Sequence, residues 1–365
     1  MPNSKHRFFL IALWFLAVCL VTIGSLATTA QLVPSSPAPN GNLELPLPGH
    51  DAGENLNDLS LRSSSLHAQA PISGGVEEAP EYTREFYQMQ WRAGDPIEVY
   101  VIRPKSVARP PVVLYLYGYP VDDGRFRNPL FCKLVTRGGV AAIGFMPALI
   151  GQRYHNVPMR KWFVSELHDS IVETVHDVQM VVSYTASRTD LDSSRVGIFG
   201  QGAGATIAGL AATVDSRIQA VDLLDPWGDW AEWMARSSLV PDRERADFLK
   251  PEYLAPLVPL DPVHWLPTLA GHSLKMDDAL YETATPLAAK SRMEAALPAS
   301  ALLVHYRTKT DFDKDALADG KLIAWIQEQL LTDRRVEGSQ ISASGAASTD
   351  ERNGQKPSSI FHEAP

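Results

Sequence analysis

The run Arg195-Val196-Gly197-Ile198-Phe199-Gly200-Gln201-Gly202-Ala203-Gly204-Ala205 constrains this chain more than any other part of it. Val196 to Phe199 is a short apolar segment, glycines follow at 200, 202 and 204, and residues 203–214 are nearly all small or apolar. That pattern predicts a buried strand, a turn too tight for side chains and a helix packed close against a sheet. The central residue is Gly202, which has no side chain to offer.

The rest of the chain alternates in the same rhythm. Arg84 to Trp91 and Ile97 to Arg103 read as strands on either side of a turn at Ala93-Gly94-Asp95. Pro111 to Gly118 and Val140 to Phe145 are apolar strands, with a helix from Phe131 to Thr136 between them that stops at Gly138-Gly139. Leu167, Ile171, Val172, Val175, Val178, Val181 and Val182 recur at helical spacing. Ile218 to Leu224 and Ala301 to Tyr306 complete the strands, and Leu317 to Leu331 is a final helix. Strands that are apolar throughout, each followed by a helix, predict an α/β fold: a mostly parallel sheet covered by helices on both faces. Residues 226–298 interrupt the pattern. They are rich in proline and hold Trp227, Trp230, Trp233 and Trp265, which suits an inserted lid, or tryptophans that fill a core.

The chain has a formal net charge of −9, which opposes binding to a phosphate backbone, so no nucleic-acid partner is expected. Lys5, His6 and Arg7 precede an apolar run from Phe8 to about Ala27, followed by Thr28-Thr29-Ala30. This reads as a signal peptide or an N-terminal membrane anchor within residues 1–30, and it predicts a periplasmic or extracellular body that meets the membrane only through this segment. Residues 31–80 read as a disordered linker, 81–332 as the folded domain and 333–365 as a disordered tail. Cys19 lies in the leader, so Cys132 stands alone in the body, in an apolar helical setting that suits a core residue.

From the hairpin near residue 84 to the last helix, the chain resembles the α/β-hydrolases of the dienelactone-hydrolase or prolyl-oligopeptidase type. The elbow, introduced by Asp190-Leu191-Asp192-Ser193-Ser194-Arg195, is similar to their G-x-S-x-G turn. Leu116-Tyr117-Gly118-Tyr119-Pro120 is similar to the H-G-x-P turn that lends a backbone N–H to the oxyanion hole. Leu302 to Tyr306 followed by Asp311 is similar to the strand whose next loop carries the triad acid. The resemblance implies an oxyanion-hole-like site from Gly200, Gln201, Gly202, Ala203 and Gly204 on one side and Gly118 and Tyr119 on the other. Asp225 and Asp311 are the two acid positions it offers.

Two family features are missing. Gly202 replaces the nucleophile, and beyond Asp311 only His362, in the tail, could act as a base. Triad residues act as a unit, so serine-hydrolase chemistry is not expected. The expected role is binding or scaffolding, with a small carbonyl or carboxylate ligand held at the helix N-terminus. One alternative is a hydrolase with non-standard residues, its water activated by Asp225 or Asp311. A second is a dinucleotide-binding oxidoreductase, because Gly200 to Ala205 also fits G-x-G-x-x-G/A with Asp222 or Asp225 about 20 residues on. His155, His168, His176, His264, His272 and His305 show no metal-ligand spacing, and His168 and His176 read as part of a solvated helix edge. No metal and no cofactor are expected.

Overall fold

The computed structural model describes residues 53–118, 124–148, 167–318 and 320–332. The leader, the first part of the linker, Tyr119, His155 and the tail from 333 lie outside the described residues. Among the described residues no helix is long and apolar enough to cross a membrane.

In chain order the elements are β1 (Ile72–Glu78), β2 (Tyr82–Arg92), β3 (Asp95–Pro104), β4 (Pro111–Tyr117), α1 (Pro129–Thr136), β5 (Ala141–Phe145), α2 (Leu167–Ser187), β6 (Asp192–Gln201), α3 (Ala203–Val214), β7 (Ile218–Leu224), α4 (Trp230–Arg236), β8 (Ser273–Ala279), α5 (Leu287–Ala296), β9 (Leu302–Tyr306) and α6 (Lys321–Leu331), with shorter helical turns between some of them. The strands form a single nine-stranded sheet in the order β1-β2-β3-β5-β4-β6-β7-β8-β9. The hairpin strands at one edge run antiparallel, and β4 to β9 are parallel to one another.

The two faces follow from the period of two in each strand. In β4, Val112, Leu114 and Leu116 enter one core with α2, α3 and the tryptophans. Val113, Tyr115 and Tyr117 enter the other, with Phe131, Val135, Ile323, Ile326 and Leu330 from α1 and α6. All seven residues of β4 are buried. A central parallel strand therefore reads as an unbroken apolar run, which is why β4, β5, β6 and β7 stand out in the sequence.

Two boundaries differ from those read in the sequence. First, the folded part begins well before residue 81. β1 is exposed along its whole length and is held by backbone pairing to β2, so it carries no apolar signal. Upstream of it, Glu54 reaches into the α2 side of the fold and meets Arg92 and His176, and all three side chains are buried. Arg92 also binds Asp177, and the His176 Nε2 lies 2.8 Å from the Asp58 carbonyl. The helix edge that reads as solvated is thus covered, and its His176 and Asp177 are fully buried. Second, residues 226–298 are not one insertion, because β8 lies within them as an inner strand of the sheet. The four tryptophans are all buried in the core.

Burial works against the charged form of Glu54, but hydrogen bonds from Arg92 and His176 outweigh it and hold the carboxyl below its ordinary value of 4.5. Its stabilisation is therefore complete above pH 4.5 and fades as pH falls through the lower folded value. Removing the arginine leaves Glu54 and Asp177 buried without their cation. Arg92→Met is expected to cost about 3–5 kcal/mol in urea denaturation at pH 7, and a loss under 1 kcal/mol would show that the N-terminal clasp is not structural.

Candidate functional site

The site is built where the strand order reverses, between the carboxyl ends of β4 and β6. The chain leaves β6 at Gln201, turns at Gly202 with φ 59° and ψ −124°, and enters α3 at Ala203. The Gly202 amide donates to the Leu224 carbonyl at 2.9 Å, which ties the bend to β7. A left-handed φ of this kind suits glycine and strains other residues.

Three neighbouring glycines let backbones touch. A Cβ at Gly200 would lie 2.3 Å from the Gly204 carbonyl oxygen, and one at Gly204 would lie 2.5 Å from the Leu116 carbonyl oxygen. A Cβ at Gly118 would lie 2.7 Å from the Gln201 carbonyl oxygen and 2.9 Å from the Ala203 nitrogen. Gly118 and the elbow residues Gly200 to Gly204 are thus close neighbours through their backbones. Ala203 is the first helical residue, so its amide is one of those that α3 itself leaves unbonded.

The Trp227 indole lies against the bend. A Cβ on residue 202 would meet the Trp227 indole, with Nε1 at 3.2 Å and Cε2 at 3.5 Å. Trp227 is buried and packs on Trp233 with ring centroids 4.9 Å apart. The backbone holds it there: the Thr206 hydroxyl donates to the Trp227 carbonyl at 2.6 Å and accepts from the Trp227 amide at 3.0 Å. Further along, Asp261 accepts from the amides of Asp229 and Trp230, both at 2.9 Å, and so fixes the entry into α4. The sequence reading missed this plug, because nothing local says which loop covers the elbow.

Neither acid position stands ready for catalysis. Asp225 follows β7 with φ 47°, accepts from the Ala279 amide at 2.9 Å and is paired with Lys290, a lysine that is itself buried. Burial raises its pKa in spite of that lysine. Asp311 is exposed and forms a capping box with Thr308, taking its amide hydrogen at 3.2 Å. It also follows the last strand of the sheet, because β8, unseen in the sequence, takes the place before β9. Of the described histidines, His168 pairs with Asp169, His176 with Glu54 and His305 with Glu294. His272 precedes β8, at the opposite end of the sheet from the elbow.

The dinucleotide reading loses its partners too. Asp222 is fully buried on β7, facing Lys275 at 3.4 Å, and Asp225 is held by Lys290. Neither is placed to receive a ribose. The Trp227 indole also lies over the bend a pyrophosphate would need to approach.

The fold does assemble one group of potential metal ligands that no sequence spacing shows. Asp278 on β8, Glu294 on α5 and His305 on β9 each present a ligand atom, all within 4.8 Å of one another. Burial, and then the facing Glu294 carboxyl, push Asp278 up to about 8.

No protein-family model matches the chain, and no curated protein sequence matches it. Its fold has many solved counterparts. An acetyl xylan esterase from Paenibacillus sp. R4 superposes with a TM-score of 0.55 at 17% identity, covering 73% of this chain and 90% of that one. The acetyl xylan esterase 1 of Thermoanaerobacterium sp. JW/SL YS485 gives 0.53 at 12% identity over 74% and 90% of the two chains. A cold-adapted esterase from an Arctic intertidal metagenomic library gives 0.53 at 13% identity over 72% and 100%. At such identities the likeness speaks for architecture alone, and with the sheet order and the elbow it establishes that this chain has the α/β-hydrolase fold.

Proposed function

We propose that this protein is an exported α/β-hydrolase-fold protein that has given up acyl-enzyme chemistry and acts by binding or scaffolding. The observation that carries this reading is the elbow itself. Its bend has the left-handed φ of such a turn, its centre is Gly202, and the Trp227 indole lies 3.2 Å from where a Cβ at that position would stand. Acyl transfer needs an attacking oxygen or sulfur and a base beside it. Gly202 offers no such oxygen or sulfur, and His168, His176 and His305 are each paired with a carboxylate. What remains is the Ala203 amide at the start of α3, a position that favours a carbonyl or carboxylate group. The esterase names of the structural counterparts keep an active hydrolase as the rival reading.

The rival is separated by chemistry. The full chain without its leader is expected to turn over p-nitrophenyl acetate and butyrate at the rate of buffer, and to resist labelling by a fluorophosphonate. Turnover well above buffer, or a labelled serine, would overturn the reading. Gly202→Ser is expected to remain inactive and to lose about 1–3 kcal/mol in denaturant titration, from the left-handed φ and the crowding by Trp227. Esterase activity in that variant would reveal a base hidden by the present assignment.

Export rests on Lys5, His6 and Arg7 ahead of the apolar run that begins at Phe8. Residues 1–45 fused to a bacterial alkaline phosphatase lacking its own signal are expected to give an active, membrane-translocated reporter. Reversing the flank with Lys5→Glu and Arg7→Glu is expected to reduce that activity several-fold. An inactive wild-type fusion would place the body in the cytoplasm.

A further inference from the structure

On β8, two strands from the elbow strand β6, a buried carboxyl group faces a second one. Asp278 is fully buried, no N–H or hydroxyl of the described residues reaches its oxygens, and the group it faces is the Glu294 carboxyl. It pairs in register with His305 on β9, so the two side chains leave the same face of the sheet. Glu294 on α5 closes the group, with its Oε1 2.9 Å from the His305 Nε2.

The nearby cation is Lys290, whose ammonium is committed to Asp225 and, at 2.6 Å, to the Ala279 carbonyl. That leaves the buried Asp278 carboxyl facing Glu294, and a buried polar group needs a partner.

We propose that Asp278, Glu294 and His305 form a binding site for a divalent transition-metal cation of the zinc class. The donor set is one imidazole nitrogen and two carboxylate oxygens. It suits Zn²⁺ and its first-row neighbours, whereas Ca²⁺ and Mg²⁺ prefer all-oxygen surroundings. Ligands about 2.0–2.2 Å from a tetrahedral Zn²⁺ lie about 3.4 Å apart, so separations within 4.8 Å close onto an ion through small side-chain movements. Asp278 forms the buried floor of the site. Glu294 and His305 are 21% and 39% exposed at their side chains, which leaves the outer position open to water or to a ligand. The three residues lie on β8, α5 and β9, and none of them is part of the elbow.

The test uses the untagged chain without its leader, stripped with EDTA and dialysed. Zn²⁺ alone is titrated by calorimetry, metal content is measured by elemental analysis, and thermal unfolding is followed with and without the ion. The expected result is one Zn²⁺ per chain, a midpoint raised by a few degrees, and no displacement by millimolar Ca²⁺ or Mg²⁺. Asp278→Asn and His305→Ala are each expected to weaken binding by at least about tenfold. In EDTA, Asp278→Asn is expected to unfold at or above the wild-type midpoint, since the amide keeps the shape of the carboxyl and can donate an N–H to Glu294, and this separates a lost ligand from a lost fold. His305→Ala, at a partly exposed position, serves the same purpose if Asp278→Asn does not fold. Zinc uptake that neither substitution changes, or none at all, would overturn the proposal and leave two carboxyls sharing a proton.

Discussion

The structure depends on backbone meeting backbone at the carboxyl end of β6. Gly118, Gly200 and Gly204 stand where a single added carbon would lie within 2.7 Å of a neighbouring main-chain atom. Such a crossing cannot be loosened at one position alone. It fixes where α3 starts, how closely α3 lies on the sheet, and how far the end of β4 stands from the bend. The geometry at Gly202 follows from this packing rather than from anything residue 202 does. The shape of the elbow therefore does not depend on a side chain at position 202.

Much of the architecture was legible. The inner strands β4 to β7 are nearly continuous apolar runs, α2 shows its buried stripe at helical spacing, and the glycines of the elbow mark the turn. What was hidden was held by long-range charge. β8 reads Ser-Leu-Lys-Met-Asp-Asp-Ala, a poor strand by composition. Its Lys275 is buried beside Asp222 and Asp277, at 3.4 Å and 2.6 Å, and those partners cannot be paired by any local pattern. The same holds at the other end of the chain. Glu54 reads as one acidic residue in a polar stretch, but it is buried against Arg92, 38 positions away, and His176, 122 positions away. Because that contact was invisible, His176 and Asp177 read as a wet helix edge and 53–80 as a linker.

The candidate site was legible in its backbone and not in its covering. Gly118 and Gly200 to Gly204 stand out because close backbone approach needs glycine, and glycine can be read directly. Trp227 could be read only as one of several tryptophans. Its role comes from the Thr206 hydroxyl, which both donates to and accepts from the Trp227 main chain. A threonine on a helix of small residues gives no sign that it will clamp a loop 21 positions on. Likewise, Asp278, Glu294 and His305 are spaced 16 and 11 residues apart, which matches no ligand pattern, and only the pairing of β8 with β9 makes neighbours of two of them.

The contact between Trp227 and the bend shows how backbone and packing act together at Gly202. A side chain at this φ carries backbone strain, which glycine avoids. The Trp227 indole lies against the bend, shares its stacking with Trp233, and is held by hydrogen bonds to the same helix the elbow begins. Relaxed backbone and close packing act in the same direction, and together they make the bend a firm joint between sheet and helix.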